Sequence, residues 1–147
     1  MVKVKHQVGI DGSIDRVYSA LTTNEGFAGW WASSADINKK IDGEIVLTFD
    51  NLTVLSFRYA DIQNNKKVVI KCTDGPGAWQ GSGLVFDLTQ ADDQVFLTLT
   101  HQNSASSEDD FLYFNTKWTC YLLSLRDWVE TGKGRPYPND VKIHVGD

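Results

Sequence analysis

The chain has 147 residues, 41% hydrophobic and 12% aromatic, with a net charge of −5 and two cysteines. That length fits one domain, 1–147, able to bury roughly 70% of its unfolded surface without metal or disulfide. The acidic balance, with basic pairs at Lys39-Lys40 and Lys66-Lys67 that read as solvated turn edges, argues against nucleic acid and against an anionic membrane surface as partners.

Val2, Val4 and Val8, separated by Lys and His, predict a first strand ending at Asp11-Gly12. Ser13 is a good N-cap for a short helix to about Thr23, because Ile14, Val17, Tyr18 and Leu21 recur at helical spacing. Asn24 opens a second helical piece through Phe27 to Trp31, weakened by Gly26 and Gly29. The adjacent rings of Trp30 and Trp31 stand ~100° apart on such a helix, so one is expected in the core and the other at an opening.

From Glu44 the period changes to two. Ile45, Leu47 and Phe49 alternate, then Leu55, Phe57 and Tyr59, then Val68, Ile70 and Cys72. Leu84, Phe86 and Leu88 follow, then Val95, Leu97 and Leu99. Turn signals such as Asp42-Gly43, Asp50-Asn51, Asn64-Asn65 and Asp92-Asp93 separate the runs, which predicts an antiparallel meander with one buried face. The direction of Trp79 depends on whether Gly81 or Gly83 marks a bulge.

A long helix is predicted from about Ser107 to Thr131. With Trp118 at the centre of a wheel of ~100° per residue, Phe111, Phe114, Leu122, Leu125 and Val129 share its side. Asn115 interrupts that stripe. Tyr121 lies at its edge, while Tyr113, Cys120 and Ser124 fall opposite. Glu108, Asp109 and Asp110 suit the helix's positive end better than a metal. Gly132, Gly134, Pro136 and Pro138 stop the helix, leaving an extended, loosely held tail at about 133–147. These elements predict an α+β protein, with a curved antiparallel sheet wrapped around a long C-terminal helix and two short helices after the first strand.

His101 continues the inward phase of Val95, Leu97 and Leu99, so it and Asn115 are the polar groups expected on the helix-covered side. No Ser, Cys or carboxylate pairs with His101 in a recognisable motif, and no second histidine lies at ligand spacing. Catalytic, metal and cofactor signatures are therefore not expected. Cys72 and Cys120 lack disulfide or metal spacing, which fits reduced thiols in a cytoplasmic protein. The stretch Met1 to Asp11 has no apolar core of signal-peptide type, and no run approaches transmembrane length.

Ile14-Asp-Arg-Val17-Tyr18-Ser-Ala20-Leu21-Thr22 leading to Trp30-Trp31 resembles the N-terminal signature of the SRPBCC, or START-like, superfamily. Within it the chain resembles the branch named after the activator of Hsp90 ATPase homologue. Gly43-Glu44-Ile45, Trp79-Gln-Gly81-Ser82, Leu99-Thr-His101, and Trp118-Thr-Cys120-Tyr-Leu122 through Gly132-Lys-Gly134-Arg-Pro136 agree in the same order. The resemblance implies a helix-grip fold with a cavity between sheet and last helix, used by relatives for hydrophobic molecules. Through the branch's name it also implies a link to the chaperone and stress response.

The leading expectation is a binding module for a small hydrophobic molecule, contacted by Trp31, Phe57, Phe86, His101, Asn115, Trp118 and Leu122. An enzyme of polyketide cyclase, hydrolase or dehydratase type using the same cavity is one alternative. A protein-partner module of Hsp90 co-chaperone kind, or a homodimer, is another. A large exposed aromatic patch around Trp30-Trp31 would favour the protein partner.

Overall fold

The computed structural model describes the chain from Val2 to Asp147, with side chains from Lys3 onward. Met1 and the Val2 side chain, the first of the strand's three valines, lie outside the described residues. β1 (Val2–Ile10) leads into α1 (Ile14–Ser19) and α2 (Asn24–Trp30). Then come β2 (Ser34–Ile37), β3 (Glu44–Phe49), β4 (Thr53–Gln63), β5 (Lys67–Asp74), β6 (Gly83–Gln90), β7 (Val95–Asn103) and α3 (Glu108–Thr131). The strands form one antiparallel sheet in the order β1-β7-β6-β5-β4-β3-β2, curved around α3 as a helix-grip fold requires.

The two short helices carry the chain from β1 to the opposite edge, from which the meander returns to close on β1. Ser13 and Thr23 cap them, accepting from the backbone N–H of Arg16 and Gly26. Along β3, β6 and β7 buried residues alternate with half-buried ones, as the apolar period demands. Asp50 and Asn65 take positive φ in the β3–β4 and β4–β5 turns, where short polar side chains tolerate it. β2 was not expected. Its four residues alternate between exposed and half-buried, with only Ala35 and Ile37 toward the core, a pattern too short to announce a strand.

α3 is 24 residues long, on the order of 36 Å. Ser107 and Asp110 form a reciprocal capping box at its start, and Gly132 ends it in the left-handed region at φ 81°. Arg16 donates to the carbonyls of Val129 (3.1 Å) and Trp128 (3.3 Å), placing a cation at the negative end. Phe114, Trp118, Leu122, Leu125 and Val129 are buried against the sheet, with Phe111 half-buried beside them.

Two expectations about the helix need correction. Ser124, predicted opposite the apolar stripe, is buried because a second layer covers that side. Its hydroxyl donates to Trp30 O (2.7 Å) and accepts from Arg135 N–H (2.8 Å). That second layer is the tail, which has neither helix nor strand but is held firmly. Tyr137 N–H donates to Trp31 O (3.0 Å). At Gly134 the chain runs so close that a Cβ would stand 2.5 Å from Gly29 O and 2.8 Å from Ser124 O.

Under the tail lies Lys117, which has no exposed surface. Its ammonium donates to Asp140 Oδ2 (2.8 Å), Val141 O (2.7 Å) and Asp147 Oδ1 (2.9 Å), using all three of its donors. Burial alone would push the Asp147 carboxyl up. The Ile143 N–H, the Lys117 ammonium and the Tyr113 hydroxyl outweigh that and hold it below the usual carboxylate value.

Candidate functional site

Trp30 and Trp31 do not diverge as a continued helix would make them. Trp31 is the C-cap of α2 at φ −124°, ψ −65°, and this departure from helical geometry lays its ring flat on Trp30, 5.0 Å between centroids and 16° between planes. Both rings are buried, at 0% and 1% exposure. The Trp30 indole N–H donates to Ala20 O at 2.8 Å. Trp31 reaches past it to a space left at one side of the core.

That space is a cavity of about 310 Å³ between sheet and α3. Phe49, Thr53 and Leu55 of β3 and β4 form its base, with Leu52 of the intervening turn at its mouth. Trp31, Pro76 and Trp79 form one side. Tyr113 and Tyr121 of α3 close it from above, and Tyr137, Asp140, Gly146 and Asp147 of the tail complete the wall. The volume is at the lower end of the range for small-molecule sites, and the lining matches their usual makeup of aromatic area with a few polar groups.

The polar groups are unequal. Asp140 and Asp147 are already tied to Lys117, and Asp140 also meets Lys142. The Tyr113 hydroxyl donates to Asp147 Oδ1 (3.0 Å), and burial with that carboxylate pushes its phenol up. The Trp31 Nε1–H, by contrast, is buried with no hydrogen-bond partner among the described residues. Beside it stands Tyr121, whose phenol is raised by burial and by Tyr113. The Trp31 N–H is near enough to offset part of that rise, without reaching hydrogen-bond geometry.

The structure places the seven expected site residues differently from one another. Trp31 lines the cavity. Phe57, Phe86, Trp118 and Leu122 are core residues at no more than 1% exposure and do not line it. Phe57 supports the cavity from behind, 5.8 Å from Trp31 and 6.2 Å from Trp79. Asn115 is exposed, and its Oδ1 lies 3.1 Å from His6 Nε2 on the flank that α3 turns toward β1. The expected polar wall shared by His101 and Asn115 is therefore not formed. Asn115 sits three residues before Trp118, at the rim of the stripe, where an amide satisfies itself outside the core at no desolvation cost.

His101 does point inward, yet into a closed network. Trp118 Nε1–H, a donor only, donates to its Nδ1 at 2.8 Å, so the neutral ring carries its proton on Nε2 and donates to Ser82 Oγ at 2.8 Å. Ser82 in turn donates to Ala78 O, and Asn103 binds the same carbonyl. The ring is stacked on Trp79 at 5.3 Å and 15°. Space beside it, between Val4, Asn103, Ser106 and Phe114, is about 10 Å³, room for no more than one water. The network explains Trp79: it ends the 3-10 turn Gly77–Trp79 and is held between His101 and the cavity.

Burial lowers the His101 imidazole from the ordinary 6.5 to about 4. The unfolded chain therefore binds the extra proton first, and the neutral ring's contribution is intact above pH 6.5 and lost as pH falls toward 4. Denaturant melts should show about 3 kcal/mol lost across that window. His101→Gln, less stable at neutral pH, should flatten the slope; an unchanged slope in the variant would assign the acid sensitivity to other groups.

The residues missed by the sequence reading, chiefly Tyr113, Tyr121, Tyr137 and the two tail aspartates, carry a weak signal in hindsight. Tyr121 lay at the edge of the stripe, and edges are where a helix meets a void. Cys72 and Cys120 are free, and burial pushes the Cys72 thiol up. No helix among the described residues is long and apolar enough to cross a membrane.

Known proteins similar to this chain fall into one family and one fold. The model of a family described as activator of Hsp90 ATPase homolog 1-like protein matches residues 11–130. The solution structure of the Aha1 dimer from Colwellia psychrerythraea is 34% identical, covers 91% of this chain and 100% of its own, and superposes with a TM-score of 0.78. DynU16, a putative protein in the dynemicin biosynthetic locus, superposes with a TM-score of 0.79 at 15% identity over 91% of this chain and 49% of its own. This chain thus spans about half of DynU16. CalU16 from Micromonospora echinospora gives a TM-score of 0.72 at 18% identity over 86% and 73%. These last two identities speak for the fold alone. No curated protein matches.

Proposed function

Because the chain belongs to the activator of Hsp90 ATPase homolog 1-like family, with the helix-grip fold of its relatives, we propose that it is a binding module for a small, largely apolar molecule. The observation that carries this reading is the unfilled cavity of about 310 Å³ walled by Trp31, Trp79, Tyr113 and Tyr121. Space of that size fits a bicyclic ring system and little more. His101 is bonded at both nitrogens, and the lining carboxylates are paired to lysine, so neither stands ready as acid or base. This supports binding over the cyclase-like alternative.

Titration calorimetry with tetralin, a ten-carbon bicyclic hydrocarbon, should give one site with a Kd on the order of 10–100 μM. Thr53→Trp, which fills the cavity from a half-buried position in its base, should abolish binding without lowering stability. Absence of saturable binding, or a variant that binds as the parent does, would overturn the reading.

Three further aspects belong to the same proposal. The relative that is 34% identical is described as a dimer, and self-association of this chain follows as a second reading, tested by sedimentation equilibrium. The co-chaperone reading is not favoured, since Trp30 and Trp31 offer no exposed aromatic patch. Free Cys72 and Cys120 support a reducing compartment such as the cytoplasm.

A further inference from the structure

We propose that the cavity selects an organic cation, an apolar body carrying a quaternary ammonium head, which the aromatic wall and the tail carboxylates hold together. The inference deepens the binding-module reading and rests on it. Six of the thirteen lining residues are aromatic: Trp31, Phe49, Trp79, Tyr113, Tyr121 and Tyr137. The faces of such rings are electron-rich and attract cations, tryptophan most strongly. Two of the six already do so within the protein. Lys117 Nζ stands 5.4 Å from the Tyr121 ring centre, and Lys142 Nζ 4.4 Å from that of Tyr137.

The ionised groups around the cavity are layered. Asp140 and Asp147 belong to its lining, whereas their partners Lys117 and Lys142 do not, and no Lys, Arg or His lines it. Lys142 borders a separate groove instead, with Arg135 and Pro138. The carboxylates thus form the inner layer and the ammonium groups the outer one, and the negative side of the arrangement faces the cavity. Both carboxylates are largely buried, at 9% and 6% side-chain exposure, so salt and water screen them little.

Other ligands use less of this wall. A hydrocarbon gains only burial, and an anion meets carboxylates with no cation in the lining to offset them. Among cations the head group decides. A primary ammonium carries three donors that all need acceptors once buried, and the carboxylates of the wall already accept from Lys117, Lys142 and the Tyr113 hydroxyl. A quaternary head has no N–H to satisfy and spreads its charge over methyl groups, so ring faces and a negative potential suffice. About 310 Å³ holds one such head and a single ring.

Three probes share a phenyl ring and a tetrahedral head and differ in charge: tert-butylbenzene, phenyltrimethylammonium and benzenesulfonate. By calorimetry phenyltrimethylammonium should bind about 10-fold tighter than tert-butylbenzene, the gain of one desolvated cation–π contact, and benzenesulfonate should bind weakest. The cation and the hydrocarbon should compete for one site. The N-methyl proton resonance should move upfield on binding, because ring currents shield nuclei above an aromatic face. Tyr137→Leu should keep most of the tert-butylbenzene affinity and reduce the cation's advantage; an undiminished advantage overturns the part given to that ring. Equal affinity of the parent protein for tert-butylbenzene and phenyltrimethylammonium overturns the cation inference while the cavity reading survives. Tightest binding by benzenesulfonate overturns its sign. Failure of all three to bind overturns the binding-module reading itself.

Discussion

Trp118→Ala should lower stability by about 3–5 kcal/mol, the range for deleting a large buried aromatic. Trp118 has no exposed surface and meets Trp31 at 5.5 Å, Tyr121 at 5.2 Å and Phe86 at 6.2 Å between centroids. Its loss also leaves His101 Nδ1 without a donor, and that nitrogen accepts nowhere else. The cost should therefore lie toward the upper end. The damage should also spread to Trp79, whose position depends on stacking against His101. Far-UV circular dichroism during urea unfolding would measure it. A loss below about 1 kcal/mol would mean that the core closes over the gap and that the histidine network is dispensable.

The second large effect concerns Lys117. Replacing both Asp140 and Asp147 by Asn should destabilise the chain by about 3 kcal/mol, because a buried ammonium loses both counter-charges and keeps only neutral oxygens, those of the amides and Val141 O, to accept from it. The cost has a ceiling. Once it exceeds the free energy that docks the tail, residues 133–147 lift and the ammonium reaches water. Amide exchange in that segment should then accelerate far more than exchange in β6 and β7. Adding Lys117→Met to the double variant should recover most of the loss, since an apolar side chain of similar length has no charge to strand. If the triple variant is no more stable than the double, the tail is held by Tyr137 and Arg135 backbone contacts instead.

The contrast between those two residues marks what was legible in the sequence. Trp118 was placed correctly in the buried stripe, though not at the cavity, because its burial follows from a period of 3.6 within one helix, and the strands from β3 to β7 were readable for the same local reason. Lys117 was invisible, because its burial comes from contact with residues 23 to 30 positions later in a segment with no period at all. β2 had too few residues for its alternation to stand out. Asn115 was assigned inward because a wheel treats the stripe as symmetric, whereas β1 covers only one flank and leaves the amide to His6. A cavity was expected between sheet and helix; the space found is walled by the tail as well. Its walls could not be named, since a void is set by which side chains fail to meet, and periodicity reports only those that do.

The stacking that fills the core has an optical side. Four of the chain's five tryptophans form an unbroken series: Trp30 on Trp31 at 5.0 Å, then Trp31 to Trp118 at 5.5 Å and to Trp79 at 5.8 Å. Indoles at these separations share excitation, so ultraviolet emission from the core is a collective property rather than four independent signals. Two of the four, Trp31 and Trp79, line the cavity, so a molecule that quenches either drains the others as well. Trp128 stands outside the stacked series under the Arg16 guanidinium, 5.4 Å from its ring centre.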